Sequence, residues 1–254
     1  MTSDQSVNTL KLEERSDIKQ LASKLATAGR LQIANLLTND SASAILRCLT
    51  ELPTWNLVFN NAGEHVDMNL LEVAGWTRDQ RDSLSVLVNR QARKGFQYHY
   101  AAVPIYDAYH TGRIPDHFLN TVFEFLNSSD FLNLMRVVAN DASINFADAQ
   151  ATCYMPGHFL TRHDDNVAGK HRRLAYVLNL TPEWNADWGG ALQFHDESGN
   201  VECGFTPAYN VLNLFRIPAS HSVGIVAPFA GGNRYSITGW LRSGDDPMAR
   251  SPAG

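Results

Sequence analysis

Cysteine is scarce: Cys48, Cys153 and Cys203 are the whole complement, and no CxxC pair occurs. An odd, scattered set builds neither a disulfide framework nor a zinc ribbon, so all three are expected to be reduced thiols in a cytoplasmic protein. Long apolar runs are missing too. The longest, such as 174–180, fall far short of the roughly 20 residues of a membrane-spanning helix. The start, MTSDQSVNTLKLEERS, lacks the apolar core of a signal peptide. Charge of either sign is not in large excess: 21 Lys and Arg face 26 Asp and Glu, a formal net charge of -5. That weak acidity gives no electrostatic case for a nucleic acid or an anionic membrane as partner. Internal repeats and low-complexity linkers are also absent. What is present is ordinary: 254 residues, 44% hydrophobic and 19% charged, enough chain to bury a full core.

Texture divides the chain. Residues 1–15 are polar and expected to fray, as is the tail 243–254. Residues 16–146 read mainly as helix with two or three strands packed on the core. Ser16 is placed to cap a helix bearing Ile18, Leu21 and Leu25, and Thr77 to cap another ending near Gly95. Residues 55–60 and 96–105 read as strands. Phe118, Leu119, Val122, Phe125 and Leu126 recur at helical spacing, and Ser129 opens a further helix with Leu132, Met135 and Val138. From 147 to 242, short runs of Val, Leu, Tyr and Phe alternate with Gly, Pro, Asn and Asp. Eight strands are predicted there, at 147–154, 159–165, 172–180, 191–195, 201–205, 209–215, 222–226 and 234–241. Eight short strands suggest a sandwich, a barrel or a jelly roll.

His163-Asp164-Asp165 is the sharpest local feature. In an extended strand the side chains of residues 163 and 165 share a face. An imidazole and a carboxylate on one face are two legs of a metal site, although a surface hydrogen-bonded pair would show the same pattern. His221, just ahead of the apolar run 223–226, is the best third leg. His195, at a strand end, is a weaker rival, and His158 and His171 lie in polar, loop-like stretches expected to be solvated. Two histidines and one carboxylate leave three coordination positions open, which suits non-haem Fe(II) better than four-coordinate zinc. Downstream, alternation in 233–240, NRYSITGW, puts Arg234, Ser236, Thr238 and Trp240 on one face. An inward Arg234 requires an anion, and its planar fork fits a carboxylate, with Ser236 available for a further hydrogen bond. An outward, solvated Arg234 is the other reading of the same pattern. Arg242 shares this alternation but borders the polar tail and is expected to be solvated.

The stretch from about 151 to 242 resembles the Fe(II)/2-oxoglutarate-dependent dioxygenases of the prolyl-hydroxylase type. CYMPGHFLTRHDD, RRLAYVLNLTPEW, the Gly189-Gly190 pair of WGGALQF, TPAYNVLNLF, SHSVGIV and NRYSITGW carry that resemblance in order. It implies an all-β core, a double-stranded β-helix or jelly roll over 147–242, decorated by the N-terminal α-helices, so α+β overall. It implies that His163, Asp165 and His221 bind Fe(II) and that Arg234 holds the distal carboxylate of the co-substrate 2-oxoglutarate. Tyr154 resembles the family tyrosine that hydrogen-bonds the same co-substrate; a core aromatic is its alternative reading. The implied reaction consumes O2 and 2-oxoglutarate, releases succinate and CO2, and hydroxylates a carbon, with ascorbate as a reductant for uncoupled turnover. The leading substrate is a prolyl residue in a protein or peptide. A free amino acid or small molecule, a catalytically silent binding module and a zinc hydrolase are the rival readings.

Overall fold

Residues 174–178, LAYVL, are apolar on both alternations, and such a strand must be covered on both faces. The computed structural model describes residues 9–249 and provides both covers. The first half runs α1 (Ile18–Ala28), β1 (Arg30–Ala34), α2 (Asn39–Thr50), β2 (Asn56–Asn61), β3 (Glu64–Asn69), α3 (Leu70–Ala74), α4 (Arg78–Ala92), β4 (Tyr98–Val103), α5 (Ile105–Thr111), α6 (Phe118–Leu126) and α7 (Ser129–Ala139). The second half is nearly all strand: β5 (Ile144–Ala147), β6 (Gln150–Tyr154), β7 (Phe159–His163), β8 (Arg172–Leu180), β9 (Leu192–His195), β10 (Val201–Phe205), β11 (Tyr209–Arg216), β12 (His221–Val223) and β13 (Arg234–Ser243).

All strand pairs are antiparallel, in the order β1-β11-β8-β13-β6-β4-β7-β12-β9-β10, with β5 on β13 and the β2–β3 hairpin on β4. One face of β8 (Leu174, Tyr176, Leu178, Leu180) joins Leu212, Leu214, Ile237 and Leu241 beneath the helices, against Leu25, Ile45, Leu126 and Met135. The other face (Ala175, Val177) packs with Leu192, Phe194 and Val223 of β9 and β12. Those strands stand far from β8 along the ladder, so the sheet coils back on itself. Its two ends meet where Arg30 of β1 donates to Glu202 of β10 at 2.7 Å. The result is the nearly closed, jelly-roll-like barrel expected from the strand count, backed on one side by helices.

Local signals account for most helix ends. Thr77 closes a capping box with Gln80: its hydroxyl accepts from the Gln80 amide, while the Gln80 side chain accepts from the Thr77 amide. One expected cap is displaced by one residue. Asp17, not Ser16, stands at the start of α1, and its carboxylate is occupied by the Arg15 fork at 2.9 Å rather than by the helix. Ser129 opens α7 as expected, and Ser128 before it caps the helix by accepting from the Phe131 amide. The single strand predicted at 147–154 is broken by a corner between β5 and β6. There the Asp148 carboxylate accepts from the Trp240 amide and the Asp148 carbonyl from the Tyr176 hydroxyl.

The ends also differ from expectation. Residues 1–8 and 250–254 lie outside the described residues. From residue 10 the start is docked rather than frayed: Leu10 is buried, and the Lys11 amide donates to Ser41. In the tail, Asp246 accepts from the Tyr106 hydroxyl and lies 3.1 Å from His110. Arg242 is not solvated. It is 7% exposed, donates to the Lys170 carbonyl at 2.7 Å and lies 3.6 Å from Asp148. No helix among the described residues is long and apolar enough to cross a membrane.

Candidate active site

Neighbouring strands bring two distant histidines face to face. His163 ends β7, His221 opens β12, and the two are register partners with ring centroids 4.1 Å apart. Each ring is fixed from behind. His163 Nδ1 is 3.0 Å from the Thr161 carbonyl and His221 Nδ1 is 2.7 Å from the Ala219 carbonyl. A carbonyl can only accept, so each Nδ1 carries the proton and each Nε2 presents its lone pair forward. Asp165 faces both: His163 Nε2 is 3.4 Å from Oδ1 and His221 Nε2 is 3.4 Å from Oδ2. The three ligand atoms lie within 4.8 Å of one another.

Asp165 reaches this position by a route that strand alternation does not describe. The strand predicted to continue to 165 stops at His163, and Asp165 takes a left-handed backbone conformation with φ 62°. Asp and Asn tolerate that region better than most residues. The turn is held by Arg172, whose Nη1 donates to the Asp165 carbonyl at 3.0 Å. The Arg172 guanidinium lies 3.4 Å over the Trp240 ring, so this basic residue is part of the wall rather than a solvated loop. Burial alone would raise the Asp165 carboxyl; protons on the facing rings, or a cation seated between the three groups in their place, hold it well below the usual carboxylate range.

Arg234 is the largest fully buried side chain, 2% exposed, with Nε unpartnered, a long 3.5 Å contact from Nη2 to Asn179 and the Tyr154 hydroxyl as a polar neighbour. It pairs in register with Tyr154, whose ring is 4.9 Å from the guanidinium. Ser236 pairs with Thr152, their hydroxyls 2.7 Å apart. Thr152 was not singled out by the sequence; its period-2 relation to Tyr154 was the available signal. Gly189 and Gly190 make room at this end. Both have positive φ, a Cβ on Gly189 would sit 2.1 Å from the Ile225 carbonyl, and one on Gly190 would reach Arg234 Cδ at 3.5 Å.

His163, Asp165, His221, Arg234, Tyr154 and Ser236 thus line one cavity of about 320 Å³. His195 is not with them; its Nε2 is 2.8 Å from the Ser222 hydroxyl. His158 is also apart, and contrary to expectation it is buried, 4.7 Å from His99, with burial pushing its imidazole down to about 3. The donor set fits a divalent iron: two neutral imidazoles and an ionised carboxylate on one side of an open space. Arg234 fits a dicarboxylate, because a buried guanidinium with unpaired donors is costly until an anion meets it.

Comparison with known proteins agrees with this geometry. Residues 149–242 match the model of the 2OG-Fe(II) oxygenase superfamily, which bears out the resemblance read from the sequence. Prolyl 3-hydroxylase OGFOD1 of Xenopus laevis is 31% identical over 139 residues, spanning 48% of this chain and 27% of that protein. OGFOD1 of Mus musculus is 35% identical over 86 residues, 31% of this chain and 15% of that protein. The matches therefore span only a minor part of these relatives' length. Among solved structures, a Pseudomonas putida prolyl-4-hydroxylase covers 90% of this chain and 100% of its own, with TM-score 0.56 and 20% identity. A Trichoplax adhaerens prolyl hydroxylase, in complex with a hypoxia inducible factor peptide fragment, covers 89% of both chains with TM-score 0.57 and 17% identity. At these identities the structural likeness establishes the fold.

Proposed function

We propose that the cavity holds Fe(II) on His163, Asp165 and His221 and 2-oxoglutarate on Arg234, and that the chain hydroxylates a carbon of a prolyl residue in a protein or peptide, releasing succinate and CO2. One observation carries the reading: a preorganised two-histidine, one-carboxylate cluster shares a cavity with a buried arginine that lacks an anion. The relatives named for prolyl hydroxylation support the choice of proline, and the peptide-bound Trichoplax structure supports a polypeptide over a free amino acid.

The chain's own contribution is orientation. The Thr161 and Ala219 carbonyls hold both imidazoles in the tautomer that leaves Nε2 free. Asp165 stays ionised and supplies the negative charge of the ligand set. Arg234 gives a bidentate, charge-assisted seat to the far carboxylate of the co-substrate, with Ser236 and Thr152 as neighbouring hydroxyls and Tyr154 against its guanidinium. Leu192, Phe215 and Val223 line the same space and exclude water from the reacting carbon. Iron, when bound, supplies the activation of O2 that no side chain can provide.

Succinate release with Fe(II), 2-oxoglutarate and ascorbate, screened over prolyl peptides and free amino acids, tests the reading. Turnover stimulated by a prolyl peptide, abolished by Asp165→Ala and not supported by Zn(II) is the expected result. Stimulation by a free amino acid alone would move the substrate to small molecules. Iron binding without any succinate would leave a binding module.

A further inference from the structure

Strand β4 places groups on the cavity wall that this chemistry does not use. Tyr98 and Tyr100 lie on one face of β4 and both line the cavity. Tyr100 stacks on Tyr154, ring centroids 4.8 Å apart and planes 17° from parallel. Tyr98 is 5.9 Å from Tyr100 and 5.7 Å from Phe96, which is itself 5.3 Å from the iron-ligand candidate His163. At the outer end the Tyr98 hydroxyl is 2.7 Å from Nδ1 of His65, an exposed residue of β3. A continuous row of rings therefore joins the interior to a solvent-facing imidazole.

Packing does not call for this arrangement. Phenylalanine would fill the position of Tyr98 equally well, and a hydrogen bond to an exposed histidine is not needed to satisfy a buried group. Phenols are among the most easily oxidised side chains, and electrons pass readily between aromatic rings in near contact. A tyrosine that loses an electron becomes a neutral radical only if its proton has somewhere to go. Burial pushes the Tyr100 phenol up to about 12 and also raises Tyr98 and Tyr154, so all three are protonated at neutral pH. Of the three, Tyr98 has an imidazole within hydrogen-bond distance.

We infer that Tyr154, Tyr100 and Tyr98 form an oxidation relay that carries a stray oxidising equivalent out of the cavity and delivers the proton of Tyr98 to His65. The inference rests on the oxygenase reading for its oxidant, the species the iron centre produces from O2 and 2-oxoglutarate when no substrate hydrogen is in reach. One electron leaves the row and reduces that oxidant by one equivalent, with a proton drawn from solvent. The hole settles on Tyr98 as a neutral radical, and His65 becomes imidazolium. An external one-electron reductant of the ascorbate class then returns an electron to Tyr98, and His65 returns the proton.

Two measurements test the relay. Fe(II)- and 2-oxoglutarate-loaded protein is exposed to O2 without substrate, frozen and examined by electron paramagnetic resonance, with succinate measured in the same samples. A long-lived tyrosyl signal is expected, lost in Tyr98→Phe, shortened in His65→Gln and suppressed by a substrate peptide. Separately, iron-free protein carries a ruthenium photo-oxidant tethered at Val167→Cys, an exposed position on the cavity lining, with Cys48 and Cys203 replaced by Ser. Flash oxidation is expected to give a tyrosyl radical that disappears in Tyr98→Phe. Succinate release without a radical overturns the relay, as does a radical indifferent to Tyr98→Phe in either measurement. A Tyr98-dependent flash radical in protein that makes no succinate with any prolyl peptide or amino acid either upholds the conducting path from the cavity to Tyr98 and overturns the oxygenase reading; no such succinate and no flash radical overturns both.

Discussion

The two faces of β8 and β13 are made from the same strands yet have opposite characters. Toward the helices stand Leu174, Tyr176, Leu178, Ile237 and Leu241, all buried and all apolar but for one hydroxyl that donates to a carbonyl. Toward the barrel interior the next residues over are Asn179, Arg234, Ser236 and Trp240, equally hidden from bulk solvent for the most part but polar, with Arg234 Nε and Trp240 Nε1 unpartnered. Period-2 alternation lets one strand do both, because neighbours in sequence point to opposite sides. The helix side stabilises the fold by burial. The cavity side gives up some of that stabilisation by burying Arg234 with Nε unpartnered.

The comparison breaks most completely if the helices are removed. A fragment beginning at residue 147 would expose the whole leucine face of β8, β11 and β13, and is expected to be insoluble or molten by near-ultraviolet circular dichroism and dye binding. A stable, active fragment would show instead that the helices are ornamental. Next in size is Leu178→Ala on the helix side, expected to lower unfolding free energy by about 2–5 kcal/mol in denaturant titrations while leaving 2-oxoglutarate affinity intact. Its counterpart across the strand pair is Arg234→Ala, expected to weaken 2-oxoglutarate by about 10- to 100-fold with iron affinity unchanged. Arg234→Lys should recover little, since an ammonium lacks the planar fork. If Arg234→Ala leaves calorimetric 2-oxoglutarate binding untouched, the two faces do not divide stability from chemistry as described.

The smallest change sharpens the border between the faces. Arg242→Ala removes a hydrogen bond to the Lys170 carbonyl and a cation 3.6 Å from Asp148, with an expected cost of about 1.5–3 kcal/mol. Burial pushes the Asp148 carboxyl up to about 6 despite the Trp240 amide and Arg242, which act the other way. The folded chain therefore retains a proton that the unfolded chain releases near the ordinary carboxylate value of about 3.9. This group's contribution to stability accordingly falls as pH rises between about 4 and 6. Without Arg242 the carboxyl rises further, so the falling limb should extend to higher pH. Denaturant midpoints measured across that range for both proteins check it; coincident pH profiles would mean that Arg242 does not act on Asp148.

Several elements are legible from local signals because their causes are local. The Thr77 capping box, the helical stripe of α6 and the apolar run of β8 each follow from residues within one or two turns of each other. Strand β3, GEHVDMN less its first residue, carries no such signature; its half-exposed, polar sequence becomes a strand only because β2 offers it a pairing edge. His158 and Arg242 were misplaced for the same reason. Polar residues near loops read as solvated, and only the chain packed over them decides otherwise.

What the sequence by itself determined is the inventory of the candidate site, His163 and Asp165 included, and the phase of two of its strands: Arg234 and Ser236 on one side of β13, and Tyr154 on β6. These are properties of spacing, which survive without knowledge of neighbours. Tertiary structure decided the rest. It chose His221 over His195 by pairing β12 with β7, turned Asp165 through a left-handed residue held by Arg172, and lined up Tyr98 and Tyr100 with Tyr154 and His65. Each of those contacts joins residues on different elements, and distance between elements is set by how the sheet coils and what packs against it, which no local pattern encodes.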